Sequence, residues 1–83
     1  MSYVTQEQYR QAFLKALLLL HGEGKIGCSL SEIKGKMQVM ISLNQLNDIC
    51  GSLLKDGYIK NVGEKSSLYA ITENGEHATA IVR

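Results

Sequence analysis

A chain of 83 residues, 45% apolar and 20% charged, makes one small domain with one thin core, and that mixture excludes intrinsic disorder. Nine Lys and Arg against eight Asp and Glu leave +1, which excludes a polybasic membrane tail or a histone-like charge reservoir but leaves room for a local nucleic-acid surface. Proline is absent, so no helix is broken by one. Cys28 and Cys50 are too few for a disulfide scaffold and read as reduced thiols. His21, Cys28, Cys50 and His77 match no zinc spacing. The longest apolar stretch, Ala12 to Leu20, contains Lys15 and is too short to span a bilayer. The expectation is a cytoplasmic protein with no cofactor and no membrane partner.

Three segments have the form S/T-x-x-E/Q: Thr5-Gln6-Glu7-Gln8, Ser29-Leu30-Ser31-Glu32 and Ser42-Leu43-Asn44-Gln45. Each is a capping box, in which a hydroxyl and the side chain three residues on satisfy two orphaned backbone N–H groups. The first predicts a helix from about Thr5 to His21, stopping at Gly22, with Tyr9, Ala12, Phe13, Ala16, Leu17 and Leu20 inward. The second predicts a short helix from about Leu30 to Met37, with Ile33 and Met37 inward. The third predicts a helix from about Leu43 to Lys55, with Leu43, Leu46, Ile49, Cys50, Leu53 and Leu54 as the inward stripe.

Beyond that helix the period changes. Asp56-Gly57 is a helix stop with a glycine for a left-handed cap. Tyr58 to Val62 and Ser67 to Ile71 read as two strands joined by a turn at Gly63 to Ser66, a β-hairpin that must pack on the helices to persist. Gly27-Cys28 offers a very short third strand. Thr72 caps a final helix through about Val82, with Ala78, Ile81 and Val82 on one side. The fold class is α+β, mainly α.

The runs Ser31-Glu32-Ile33, Ile41-Ser42-Leu43-Asn44-Gln45-Leu46 and Leu53-Leu54-Lys55-Asp56-Gly57-Tyr58-Ile59 carry a resemblance to the winged helix-turn-helix fold. The last is similar to the L-x-x-x-G-h-I junction of bacterial winged-helix regulators. Tyr69-Ala70-Ile71-Thr72-Glu73-Asn74-Gly75 resembles the Y-x-L-T-x-x-G ending of regulators of the MarR and PadR type. The resemblance spans Ser29 to Gly75. It implies a third helix in the DNA major groove and a hairpin wing, tipped by Gly63 to Ser66, reaching toward the backbone or minor groove.

On that geometry the DNA-binding candidates on the third helix are Asn44, Gln45, Asn47, Asp48, Ser52 and Lys55. Asn and Gln can pair in bidentate fashion with adenine. Asn44 and Gln45 stand where base-reading residues sit, although Gln45 also serves the capping box. Asp48 falls at the centre of the outward face, beside Gly51 and Ser52. Lys34, Lys36, Lys60 and Lys65 are the further phosphate candidates. No arginine lies on this face. Between Ser29 and Lys65 five lysines face four carboxylates, a thin electrostatic footprint.

Leu14 and Leu18 lie one turn apart, opposite the main stripe of the first helix. With Ala78 and Ile81 they are the expected interface of a homodimer, a mode the resemblance favours; the other covering for that stripe is the C-terminal helix of the same chain. No paired carboxylates, phosphate loop or nucleophile with a placed base is visible, so enzyme activity is not expected. The reading is a DNA-binding transcriptional regulator acting on double-stranded DNA. Its rivals are a winged-helix module for protein recognition and an accessory subunit of a larger DNA-processing machine.

Overall fold

The computed structural model describes residues 6–37, 39–62 and 68–80, and for residue 80 the backbone alone. The chain runs α1 (Gln6–Gly22), α2 (Leu30–Lys36), α3 (Leu43–Asp56), β1 (Ile59–Asn61), β2 (Tyr69–Ile71) and α4 (Glu73–Ala80). This is a mainly helical α+β arrangement in the expected order. Thr5, the turn from Gly63 to Ser66 with Lys65, and Ile81 and Val82 lie outside the described residues.

Local chemistry sets the helix starts. Both described capping boxes form: the Ser29 hydroxyl accepts from the Glu32 N–H and the Glu32 carboxylate from the Ser29 N–H, and Ser42 and Gln45 do the same. The residues just before the caps, Cys28 and Ile41, are buried together with Ile33 and Leu46 four positions past the caps. That is the arrangement of a hydrophobic staple, which fixes the angle at which the chain enters each helix.

Glycines set the helix ends. Gly57 takes φ +81°, the Tyr58 N–H reaches the Leu53 carbonyl and the Gly57 N–H reaches that of Leu54. These two bonds form a Schellman motif. An equivalent motif closes α1, with Lys25 bonded to Leu20 and Gly24 to His21. There the left-handed residue is Gly24 (φ +92°) rather than Gly22, because the helix continues through Gly22 before it stops.

The core is one cluster centred on α1, which packs against α2, α3, α4 and β2. Phe13, Leu14, Ala16, Leu17 and Leu20 are buried, an arc of about 160° at 100° per residue. Leu14, expected on an outer face, is 1% exposed, and Leu18 and Ala78 are half-buried against the core. The reason is the central position of α1. The same chain covers its second apolar side, so Leu14 offers no surface to another copy.

On α3 the buried residues are Leu46, Ile49, Cys50 and Leu53, an arc of only about 100°. Leu43 departs from the expected stripe and is 59% exposed. It is the first residue of the helix, a turn ahead of the first core residue, and Ile41 takes the buried place through the staple.

β1 and β2 pair antiparallel with Ile59 opposite Ile71, Lys60 opposite Ala70 and Asn61 opposite Tyr69. Cys28 bridges to Tyr69 through two backbone bonds of 2.9 Å, the short third-strand contact. Gly27 permits it, since a Cβ there would stand 2.5 Å from Val62 Cγ2. The hairpin is fastened to the helices at Thr72. Its hydroxyl donates to the Gly57 carbonyl at 2.6 Å and accepts from the Gly75 N–H at 3.2 Å. The first turn of α4 then lies so close to Tyr58 that a Cβ at Gly75 would meet the Tyr58 carbonyl oxygen at 2.2 Å.

Candidate nucleic-acid interface

The narrow buried arc of α3 leaves most of its perimeter uncovered, and the candidate site is built on it. Asn44, Asn47 and Lys55 are exposed, as are Leu43 and Asp48. A Cβ at Gly51 would meet nothing within 4 Å, so the middle of this face is open space. Ahead of the helix, Met40 is 92% exposed. Met40, Leu43, Asn44 and Asn47, two apolar side chains and two amides, are thus all exposed at or just before the N-terminal half of α3.

Gln45 is exposed but committed to its capping box, its amide oxygen accepting from the Ser42 N–H at 3.3 Å. Asp48 lies on the side of α3 nearest α1. With Gln45, Ile49, Gln6 and Tyr9 it lines an open cleft of about 300 Å³ between the two helices. It is exposed and borders that cleft as well as the outward face.

Ser52 is turned to another use. Arg10 of α1 donates to the Ser52 hydroxyl, binds the Asp56 carboxylate at 2.5 Å and sits 5.7 Å from the centre of the Tyr58 ring. Ser52 is half-buried by this contact, because α1 lies along that flank of α3, so it is withdrawn from the outward face. The sequence reading missed Arg10, although a signal was present. On a helical projection Arg10 falls between Phe13 and Leu14, inside the buried arc of α1, where a charged side chain requires partners.

The lysines divide. Lys36 is paired with Glu23 at 2.8 Å, whereas Lys34, Lys55 and Lys60 are exposed and form no ion pair with a described residue. Lys25 pairs with Glu32; hydrogen bonding to each other raises the Lys25 ammonium above its ordinary value and lowers the Glu32 carboxyl below its own. Burial pushes the Cys28 and Cys50 thiols up, which suits packing and not reactivity. Burial, and then the Cys50 thiol, push the Tyr69 hydroxyl up as well.

Helix N-termini carry partial positive charge, and acidic side chains in the first turn neutralise it. α1 has Glu7 there, α2 has Glu32, and α4 has Glu73 and Glu76, while the first turn of α3 has no acidic residue. Its capping box uses Gln45 where that of α2 uses Glu32. Among the described residues no group of His, Cys, Asp and Glu is placed to hold a metal ion, and no helix is long and apolar enough to cross a membrane. Comparison with family models, with characterised proteins and with solved structures finds no match for the chain.

Proposed function

We propose that this chain is a DNA-binding domain of the winged helix-turn-helix type, a transcriptional regulator whose α3 enters the major groove. The observation that carries the reading is the uncovered N-terminal half of α3, with Asn44 and Asn47 exposed on a rigidly capped helix. Residues at that end of a recognition helix are the ones that reach base edges. The acid-free first turn of α3 suits an approach to phosphates. Lys34, Lys55 and Lys60 supply the cations for them. A cytoplasmic setting and pairing of two copies on successive half-sites belong to the same proposal.

A second reading, docking of a protein on this face, draws on exposed Met40 and Leu43. The two part on one experiment. Polarisation of a labelled random-sequence duplex at low salt tests for DNA binding directly. With about three phosphates engaged per chain, the slope of log K against log salt is expected near −2 to −3 per chain. Lys55→Ala flattens it by about one unit, while Asn44→Ala leaves it unchanged and lowers affinity only on a preferred site. Absence of duplex binding at low salt overturns the DNA reading in favour of protein docking.

A further inference from the structure

We infer that α3 reads A·T base pairs, with Asn44 taking adenine and Leu43, supported by Met40, taking the methyl group of thymine; this rests on the DNA-binding reading. Leu43 and Met40 are 59% and 92% exposed, on and just before the first turn. Exposed apolar side chains are ordinary on a folded surface; what singles these two out is their place at the start of the uncovered helix, where Ile41 already fills the staple. Asn44 follows Leu43 directly, is exposed, and forms none of the capping bonds that occupy Gln45.

In the major groove each base pair offers a distinct pattern. Adenine presents N7 as acceptor and the N6 amino group as donor, which one amide matches in bidentate fashion. Thymine presents O4 and the C5 methyl, the one apolar feature of the groove floor. An exposed amide and an exposed apolar side chain at successive positions of one helix start, about 100° apart around its axis, offer one partner for each of those two features. Guanine, with two acceptors, is met best by Arg or Lys, and the N-terminal half of α3, from Leu43 to Cys50, holds neither.

Shape offers a competing account of A·T preference, because A-tracts narrow the minor groove and attract cations inserted there. The two accounts differ in which chemical groups they need, so synthetic duplexes separate them.

The test measures the whole chain, at one low salt concentration, against labelled alternating duplexes of equal length: dA-dT, dA-dU, dG-dC and dI-dC. Uracil lacks only the methyl. The dI-dC duplex keeps the major-groove pattern of dG-dC with a minor groove like that of dA-dT. The inference expects dA-dT to bind at least about tenfold tighter than dG-dC and dA-dU to bind about three- to fourfold weaker than dA-dT. It expects dI-dC to behave as dG-dC. Leu43→Ala removes the difference between dA-dT and dA-dU and keeps a preference over dG-dC; Asn44→Ala keeps the difference between dA-dT and dA-dU and cuts the preference over dG-dC to about the three- to fourfold that the methyl supplies. Because both side chains are exposed, both variants keep the wild-type circular dichroism.

Equal binding of dA-dT and dA-dU by the wild type, or dI-dC bound as well as dA-dT, overturns the inference. If all four duplexes bind alike with the expected salt slope, the base assignment falls and the DNA reading stands. If none binds, both fall.

Discussion

The two ends of α3 are held in opposite ways. At its C-terminal end every neighbour is fastened: Gly57 closes a Schellman motif, Thr72 hydrogen-bonds the Gly57 carbonyl, Gly75 lies against Tyr58, and Arg10 clamps Ser52 and Asp56 from α1. At its N-terminal end, among the described residues, a capping box and the Ile41–Leu46 staple hold the helix, and Met40, Leu43 and Asn44 are exposed. One end thus fixes where the helix points, and the other is free to touch something else. A helix docked into a groove needs that division, since its reading residues act only if the far end holds their position.

The sharpest way to break the comparison is at the fastened half. Leu53 is fully buried, and Leu53→Ala is expected to cost about 2–5 kcal/mol, enough to unfold a domain of this size or bring it close to unfolding. Leu43→Ala, at the free end, is expected to leave the melting temperature near that of the wild type. Equal losses for the two would mean that the free end is as tightly held as the other.

Gly75→Ala comes next. Its Cβ would also meet Ile71 Cγ1 at 2.7 Å, so the first turn of α4 must back away from the junction. The expected cost is about 1–3 kcal/mol, read by denaturant unfolding. An unchanged midpoint would show that α4 does not brace the end of α3.

Arg10→Ala removes the clamp. A charge-assisted hydrogen bond is worth about 1.5–3 kcal/mol, but the Asp56 side chain is 45% exposed, so solvent screening brings the expected loss to about 1–2 kcal/mol. Ser52→Ala should cost about 0.5–1.5 kcal/mol. A double-mutant cycle between the two positions gives their coupling, and zero coupling would remove Arg10 from the account of how α3 is oriented.

These contacts also show where the sequence was legible. Both described capping boxes, the Gly57 stop, the hairpin and the inner stripe from Leu46 to Leu53 follow from spacing and from a few residue types with fixed local jobs. Expectation and structure part where a face depends on its neighbours. Periodicity puts Leu14 and Leu18 opposite the main stripe and leaves open whether the same chain or a second copy covers them; a helix packed on four elements buries a wide arc, and the same chain covers Leu14. Leu43 fits the helical period but precedes the core. Ser52 points outward on a projection of α3 alone, and only the position of α1 brings Arg10 to it. Periodicity reports which side of a helix is apolar; it does not report how many partners the helix has.

Gly51→Ala probes the open face between the two ends. Glycine in a helix interior is worse than alanine by about 1 kcal/mol, and a Cβ at Gly51 meets nothing within 4 Å. The variant should therefore be more stable by up to about 1 kcal/mol. If duplex binding weakens as stability rises, the absent side chain serves close approach; unchanged binding would make the glycine a tolerated weak spot.

The smallest expected effect separates folding from function at the free end. Gln45→Glu keeps the capping box, because glutamate serves at that position as well as glutamine, and α2 already uses Glu32 in the same place. A carboxylate in the first turn also favours the helix dipole, by about 0.3–1 kcal/mol at low ionic strength. On stability alone glutamate is the better residue here, and the variant should melt at or slightly above the wild-type temperature. Duplex binding at low salt should weaken, because the new charge meets phosphate at the one helix start whose first turn carries no acid, and added salt should narrow the difference as the repulsion is screened. A variant both more stable and equally tight on DNA would remove the reason for a neutral residue at this position, and with it the claim that the free end of α3 faces a polyanion.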